Sequence, residues 1–257
     1  MFSILIFSML RFLLICTSLL LVSCSKDIDL KQFENTSAED IFAAGKKEIA
    51  NKNYADAVLI FEELERLYPY SKLTAEAQIL EGECNYNSKK YDEASSAIEI
   101  FVKTHPTHKK VPYALYMLGI IHFEQMPIIE RDQDSTAKAL AYFSELQQRY
   151  PGSEFVKKSE EKVKQLRQQM AGREMNIARY YQSRKNYAAA IGRLNVVVDN
   201  YTDTDHAPEA LLRSVECYIS MGIFDEAKLA NRILETKFSE TPWAKYSKEL
   251  LIRNNIK

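Results

Sequence analysis

The stretch "NYADAVLIFEELERLYPYSKLTAEAQ", residues 53–78, returns 37 positions later as "KYDEASSAIEIFVKTHPTHKKVPYAL", residues 90–115. In both copies an aromatic (Tyr54, Tyr91) is followed three positions on by Ala (Ala57, Ala94). Further along comes a second aromatic or His (Tyr68, His105), then Pro. Three more copies follow, "STAKALAYFSEL" at 135–146, "NYAAAIGRLNVV" at 186–197 and "IFDEAKLANRIL" at 223–234. Tyr187/Ala190 and Phe224/Ala227 keep the pair, and Thr136/Ala139 is the weaker version. The second landmark recurs at Tyr68, His105, Tyr150, Tyr201 and Phe238, with spacings of 37, 45, 51 and 37. Upstream, Gly45 and Gly82 stand nine before Tyr54 and Tyr91. Gly119 precedes Thr136 across an insertion, and Ala178 and Val215 take the place in the last two copies. Apolar residues three and four apart mark helices, and a fixed period of this length marks stacked supersecondary units.

The pattern resembles the tetratricopeptide repeat, in which helix A, a tight turn and helix B form a hairpin. A small residue at the A–B contact lets the two backbones approach. The expected fold is therefore all-α, a superhelix of five helix pairs. Residues 153–185 hold no Pro and a single Gly, Gly172, which predicts a long helix or two nearly collinear ones. That divides the array into a first lobe of repeats 1–3 (residues 38–152) and a second of linking helix plus repeats 4–5 (residues 153–257). Repeat 3 carries the insertion "EQMPIIERDQDS", residues 124–135.

In such arrays helix A lines the concave side. With the glycine at position 8 of each unit, positions 2, 5, 9 and 12 face the groove. In the first lobe these are Glu39, Phe42, Lys46 and Ile49, then Glu76, Ile79, Glu83 and Tyr86, then Tyr113, Tyr116, Ile120 and Phe123. Five aromatics and three Ile at solvent-facing positions suggest a peptide-binding surface. The alternative is that individual rings pack on neighbouring helices. The second lobe's equivalents, Gly172, Met175, Arg179, Gln182, Glu209, Leu212, Glu216 and Ile219, are more polar.

At the N-terminus, "LLICTSLLLVSCSKDID" (residues 13–29) is an apolar run that ends at a cysteine. Arg11, a core too short to span a bilayer and a small-residue end read as a secretory signal over residues 1–23, starting at Met1 or Met9. Leu21-Val22-Ser23-Cys24 resembles the bacterial lipobox. That resemblance implies diacylglycerol on the Cys24 thiol and an acyl chain on its amine, enough apolar chain for stable anchoring. Ser25 rather than Asp after the cysteine implies the outer membrane. Residues 24–37 read as a polar, lipidated tether.

Cleavage at Cys24 leaves about 234 residues with 33 Lys+Arg against 35 Asp+Glu, so no basic field points to nucleic acid. Cys84 and Cys217 lie three repeats apart, too far for a disulfide, and read as small packing residues. The sequence has no Gly-rich phosphate loop, no Gly-x-Ser-x-Gly and no His-Glu-x-x-His, and its four His are scattered. No enzyme, no metal site and no cofactor other than the covalent lipid are expected. Glu62-Glu63-Leu64-Glu65 reads as a solvated helix face, and the Lys157–Lys164 region as a salt-bridged surface.

Three stretches resemble one family in particular. They are "HPTHKKVPYALYMLGI" (105–120), "ERDQDSTAKALAYFSELQQRYPGSEF" (130–155) with Arg131-Asp132-Gln133, and "MAGREMNIARYYQSRKNYAAAIGRLNVVVDNYTDT" (170–204). In the last, Ala171, Glu174, Ala178, Tyr180, Tyr181 and Arg193 match the pattern. The resemblance, over residues 21 to about 240, is to the BamD (ComL/YfiO-like) lipoproteins of the outer-membrane β-barrel assembly machinery. Thr202 stands where that family usually has Pro. The resemblance implies a scaffold on the periplasmic face of the outer membrane. Its second lobe would hold the periplasmic POTRA region of the barrel subunit BamA, with Arg193 the matched contact residue. Other lipoproteins of the machinery would join it. Its first lobe would receive unfolded outer-membrane proteins through an aromatic-ending C-terminal signal, in a groove of Phe42, Ile79, Tyr86, Tyr113, Tyr116, Ile120 and Phe123. A scaffold lipoprotein of Tol-Pal coordination or pilus assembly is the alternative.

Overall fold

The computed structural model describes residues 28–129 and 131–256. The signal segment and Cys24 lie outside these residues. Each aromatic-Ala motif opens a helix B. The pairs are α1 (Ala38–Ala50) with α2 (Tyr54–Leu67), α3 (Lys72–Asn87) with α4 (Tyr91–Thr104), and α5 (Val111–Glu124) with α6 (Asp134–Arg149). Then α7 (Glu154–Ser183) pairs with α8 (Tyr187–Asn200), and α9 (Ala207–Met221) with α10 (Phe224–Lys237). A last helix, α11 (Pro242–Arg253), has no B partner and packs on α9 and α10. The described residues contain no strand.

Local chemistry sets the boundaries. Ser37, Ser71, Ser153 and Thr241 each accept a backbone N–H of the first turn and so start α1, α3, α7 and α11. The second landmark of the repeat is the residue that ends helix B. Tyr68, His105, Tyr150, Tyr201 and Phe238 leave helical geometry at φ between −126° and −137°. Each still donates its N–H to the carbonyl four residues back. The A–B turn needs one left-handed residue two before the aromatic. Lys52, Lys89 and Lys185 fill it at φ 62°, 60° and 60°, and Gly222 at 76°.

The three glycines mark the A–B crossings. A Cβ on Gly45 would lie 2.4 Å from the Phe61 ring, on Gly82 2.3 Å from Ile98, and on Gly119 2.3 Å from the Phe143 ring. Only hydrogen fits there.

The 30-residue α7 is continuous and, at 1.5 Å per residue, about 45 Å long. Its first half (Phe155, Val156, Val163, Leu166) closes the core built by α3 to α6. Its second half (Ala171, Met175, Ala178) belongs to the core with α8 and α9. One helix thus serves two cores, with the changeover between Leu166 and Ala171. Cys84 and Cys217 are both buried and unbridged, in different cores, and burial pushes their thiols up to about 12 and about 11.

The tether reading stops short of the structure. From Ile28 onward the chain is docked: Ile28, Leu30 and Phe33 pack against the α1–α2 core, and the Tyr68 hydroxyl donates to the Thr36 carbonyl at 2.6 Å. Three apolar residues among the ten from 28 to 37 are enough to hold this part of the segment.

The insertion of repeat 3 is clamped. Gln133, 2% exposed, donates its amide to the carbonyls of Ile128, Ile129 and Arg131 and accepts from the Thr136 hydroxyl. Gln169 of α7 donates to the Pro127 carbonyl at 2.7 Å. The Arg131-Asp132-Gln133 segment therefore acts through its Gln, while Arg131 and Asp132 are exposed.

Candidate functional site

Contacts between successive A helices test the groove phase. The Tyr113 hydroxyl donates to Glu83 at 2.8 Å, and the Arg179 guanidinium donates to Glu209 at 3.1 and 2.7 Å. Both join position 9 of one A helix to position 2 of the next, so the two lobes share one register. Burial, together with the adjoining Glu83 carboxylate, drives the Tyr113 hydroxyl well above the usual tyrosine range. It stays a neutral donor.

Five of the seven predicted groove residues, Phe42, Tyr86, Tyr113, Tyr116 and Phe123, are half-buried. Ile79 and Ile120 do not line the groove. Ile79 is 0% and Ile120 7% exposed, both within the core of repeats 2 and 3. A middle repeat has an A helix on each side, and a short branched side chain ends below their level. A Tyr reaches past it.

The linking helix enters this site, which the sequence reading missed. Phe155 packs its ring 5.3 Å from Tyr113 and 5.4 Å from Tyr116. The Lys158 ammonium stands 4.8 Å from the Phe155 ring centre, and Lys162 5.7 Å from Phe123. On α1, Lys46 stands 5.7 Å from the Phe42 ring. So the ring surface carries three ammonium groups. Lys158 also pairs with Glu154 at 2.6 Å, as a salt-bridged surface would, but Lys162 rides over an aromatic face instead. The signal was present in the spacing: 155, 158 and 162 share one helical face.

In the second lobe the same seam is ionic. Glu209 accepts from Arg179 and Arg213, and Gln182 bridges to Glu216 and Arg213. Burial would raise the Glu209 carboxyl, but the two guanidinium partners outweigh it and hold it below the usual range. Arg193 donates to Glu174 at 3.2 Å from α8 to α7, with Glu174 8% exposed and the Arg193 side chain 46%. Arg193 is therefore tied within the lobe while half its surface stays open. Ala171 and Ala178 are packing residues, fully buried, and Tyr180 is exposed beneath the Arg184 guanidinium.

Among the described residues no relay of nucleophile, base and orienting acid appears. Ser95 Oγ and His122 Nε2 lie 3.3 Å apart, but Glu99 accepts from Ser95 and Tyr142 and does not orient the imidazole. His122 is 6% exposed and stacks on Tyr142. His105 and His108 flank the Phe101 ring. Among the described residues no group of three His, Cys, Asp or Glu could hold a metal, and no helix is long and apolar enough to cross a membrane.

Comparison with known proteins gives the family. The family model YfiO, described as an outer membrane lipoprotein, matches residues 34–233. The chain belongs to that family. The outer membrane protein assembly factor BamD of Caulobacter vibrioides is 33% identical over 225 residues, covering 88% of this chain and 74% of that one. BamD of Neisseria meningitidis serogroup A is 31% identical over 227 residues, covering 84% and 85%. Among solved structures, the TPR2AB domain of yeast Sti1 in its Hsp90 peptide complex superposes with a TM-score of 0.41 at 12% identity, over 82% of this chain and 81% of that one. The relatives are named as assembly factors and not as enzymes, in keeping with the missing catalytic motifs.

Proposed function

We propose that this protein is a scaffold of outer-membrane β-barrel assembly, anchored through acylated Cys24 on the periplasmic face of the outer membrane. Its first lobe receives the aromatic-ending C-terminal segment of an unfolded barrel protein. Its second lobe holds the POTRA region of BamA, with the open side of Arg193 at that contact and other lipoproteins of the machinery alongside. The observation that carries the first part is the row of half-buried rings flanked by Lys46, Lys158 and Lys162. Rings accept an aromatic side chain edge-on or offset, and ammonium groups suit the free carboxylate that ends such a segment. For the second lobe, Phe224, Leu229, Trp243, Tyr246 and Ile252 are large apolar side chains left 36–67% exposed on α10 and α11, the kind of surface a partner covers.

The test uses the full chain in detergent. BamA should co-purify with the wild type, and Tyr116→Ala should cut photo-crosslinking to a barrel protein's C-terminal peptide by about tenfold, roughly one aromatic contact's worth. BamA capture should be unchanged in that variant. Failure to recover BamA rejects the assembly reading. Undiminished crosslinking with the variant folded moves the peptide site off the rings.

A further inference from the structure

Glu62, Glu65 and Glu81 converge on a trough between the B helices α2 and α4, over α3 and apart from the ring surface. Two cavities of about 500 and 360 Å³ share Glu62, Glu81, Ala97 and Ile100 in their walls and so form one channel. Within it Gln78 is 5% exposed, and its amide nitrogen already donates to Glu65 at 2.8 Å. Its carbonyl oxygen Oε1 is buried with no partner. Buried acceptors are ordinarily paired, and the other polar side chains at this end are the carboxylates of Glu62, Glu65 and Glu81 and the guanidinium of Arg66. What is missing is a donor.

Among the described residues that line this end, the one cation is already engaged. Arg66, at the rim, is held by Glu63 through two bonds of 2.7 and 2.5 Å. Lys90 and Glu93 line the opposite end. Burial pushes the Glu81 carboxyl up to about 7, with repulsion from Glu62 and Glu65 adding to it. Along the same walls Leu59 and Ile100 are 40% and 48% exposed, apolar surface beside the acceptors. A long stem ending in a planar, donor-rich cation satisfies both halves, and arginine has that shape.

We propose that this trough docks an extended, arginine-bearing segment of a partner protein, the guanidinium donating to Gln78 Oε1 and the Glu81 carboxylate while the methylene stem covers Leu59 and Ile100. The charge complementarity is direct: among the described residues, three carboxylates line this end beside Gln78, and its one guanidinium, Arg66, is held by Glu63. The trough lies behind the rings, so a segment here and a peptide in the groove can be held together. Because the cation needs Glu81 ionised, affinity rises with pH from 6 to 8. Glu62, Glu65, Arg66, Lys90 and Glu93 are the other charged groups that line the trough.

Fluorescence anisotropy of the full acylated chain in detergent tests this with the peptide Gly-Leu-Arg-Leu-Arg-Gly and its citrulline analogue, which keeps shape but not charge. The arginine peptide should bind at least about tenfold tighter than the citrulline one, the loss expected for one charge-assisted pair. It should weaken about fivefold from pH 8 to pH 6, following the protonation of Glu81. Glu81→Gln should weaken binding about tenfold at pH 8 and flatten the pH dependence. Tyr116→Ala should leave it unchanged. Equal affinity for both peptides overturns the proposal, and so does loss of binding in Tyr116→Ala. Should Glu81→Gln fail to fold by circular dichroism, Glu62→Gln decides, since that side chain is exposed; wild-type binding and pH response there also overturn it.

Discussion

Gly45, Gly82 and Gly119 in the first lobe answer to Ala178 and Val215 in the second. All five stand where helix A meets helix B. Seven residues into the facing B motif are Phe61, Ile98 and Phe143 in the first lobe, but Leu194 and Asn231 in the second. As the A-side residue grows from Gly to Ala to Val, the B-side residue shrinks from Phe or Ile to Leu to Asn. The crossing keeps a roughly constant volume, shared differently between the two helices. A consensus that names only the A-side residue misses half of the pair.

The largest effect should come from disturbing that sharing. Gly119→Ala places a methyl 2.3 Å from Phe143 Cε1, inside any real contact distance. We expect a loss of about 2–3 kcal/mol in urea unfolding, typical of an overpacked core. Phe143→Leu alone should cost about 1–2 kcal/mol for the cavity it leaves. The double variant rebuilds the Ala–Leu pair of repeat 4, so it should be more stable than the sum of the two by at least about 1 kcal/mol. Strict additivity would break the volume-sharing account.

What the sequence showed and hid follows from the same crossings. Tyr54/Ala57 and its copies were legible because aromatic and small residues recur at fixed phase. The burial of Ile79 and Ile120 was hidden, because a position rule treats each repeat alone while exposure depends on neighbouring A helices. Phe155, Lys158 and Lys162 share a helical face by spacing, but what that face meets was hidden for a related reason. They belong to the linking helix, which obeys no repeat, yet it lies across the third A helix. The closing helix α11 was visible only as a fifth copy of the Phe238 landmark, with nothing after it to pair. Glu62 to Glu65 looked like ordinary solvated surface, since a buried Gln from another helix cannot be read from their own run.

The seam between A helices gives the second contrast. Tyr113 to Glu83 keeps a neutral donor, whereas Arg179 and Arg213 to Glu209 is a charged cluster. Glu209 has its folded-state carboxyl below the unfolded value. Its contribution is therefore full above the unfolded pKa and is lost as pH falls through the folded one. Glu209→Gln should cost about 1–2 kcal/mol at pH 7, a partly buried pair broken from one side. That cost should shrink as pH falls below the ordinary carboxylate range and through the folded carboxyl's own lowered titration, where the wild-type side chain is also protonated. Tyr113→Phe should cost less than about 1 kcal/mol and show no such fade. Parallel urea titrations stepped down in pH from 7 separate the two, and a pH-independent Glu209→Gln deficit would mean that packing, not charge, holds the second seam.

The smallest effect concerns the A–B turns. Repeat 5 uses Gly222 at φ 76°, where a glycine carries no steric penalty. Repeats 1, 2 and 4 put Lys52, Lys89 and Lys185 into the same left-handed geometry. A lysine there is strained by about 1 kcal/mol, part of which the more flexible unfolded glycine chain cancels. Lys89→Gly should accordingly raise stability by about 0.5 kcal/mol, visible as a shift of one or two degrees in Tm for a chain this size. Gly222→Lys should lower it by a similar amount. If Lys89→Gly destabilises instead, the lysine side chain contributes more at this turn than its backbone strain costs, and the lysine turns differ in kind from the glycine turn of repeat 5 rather than only in residue.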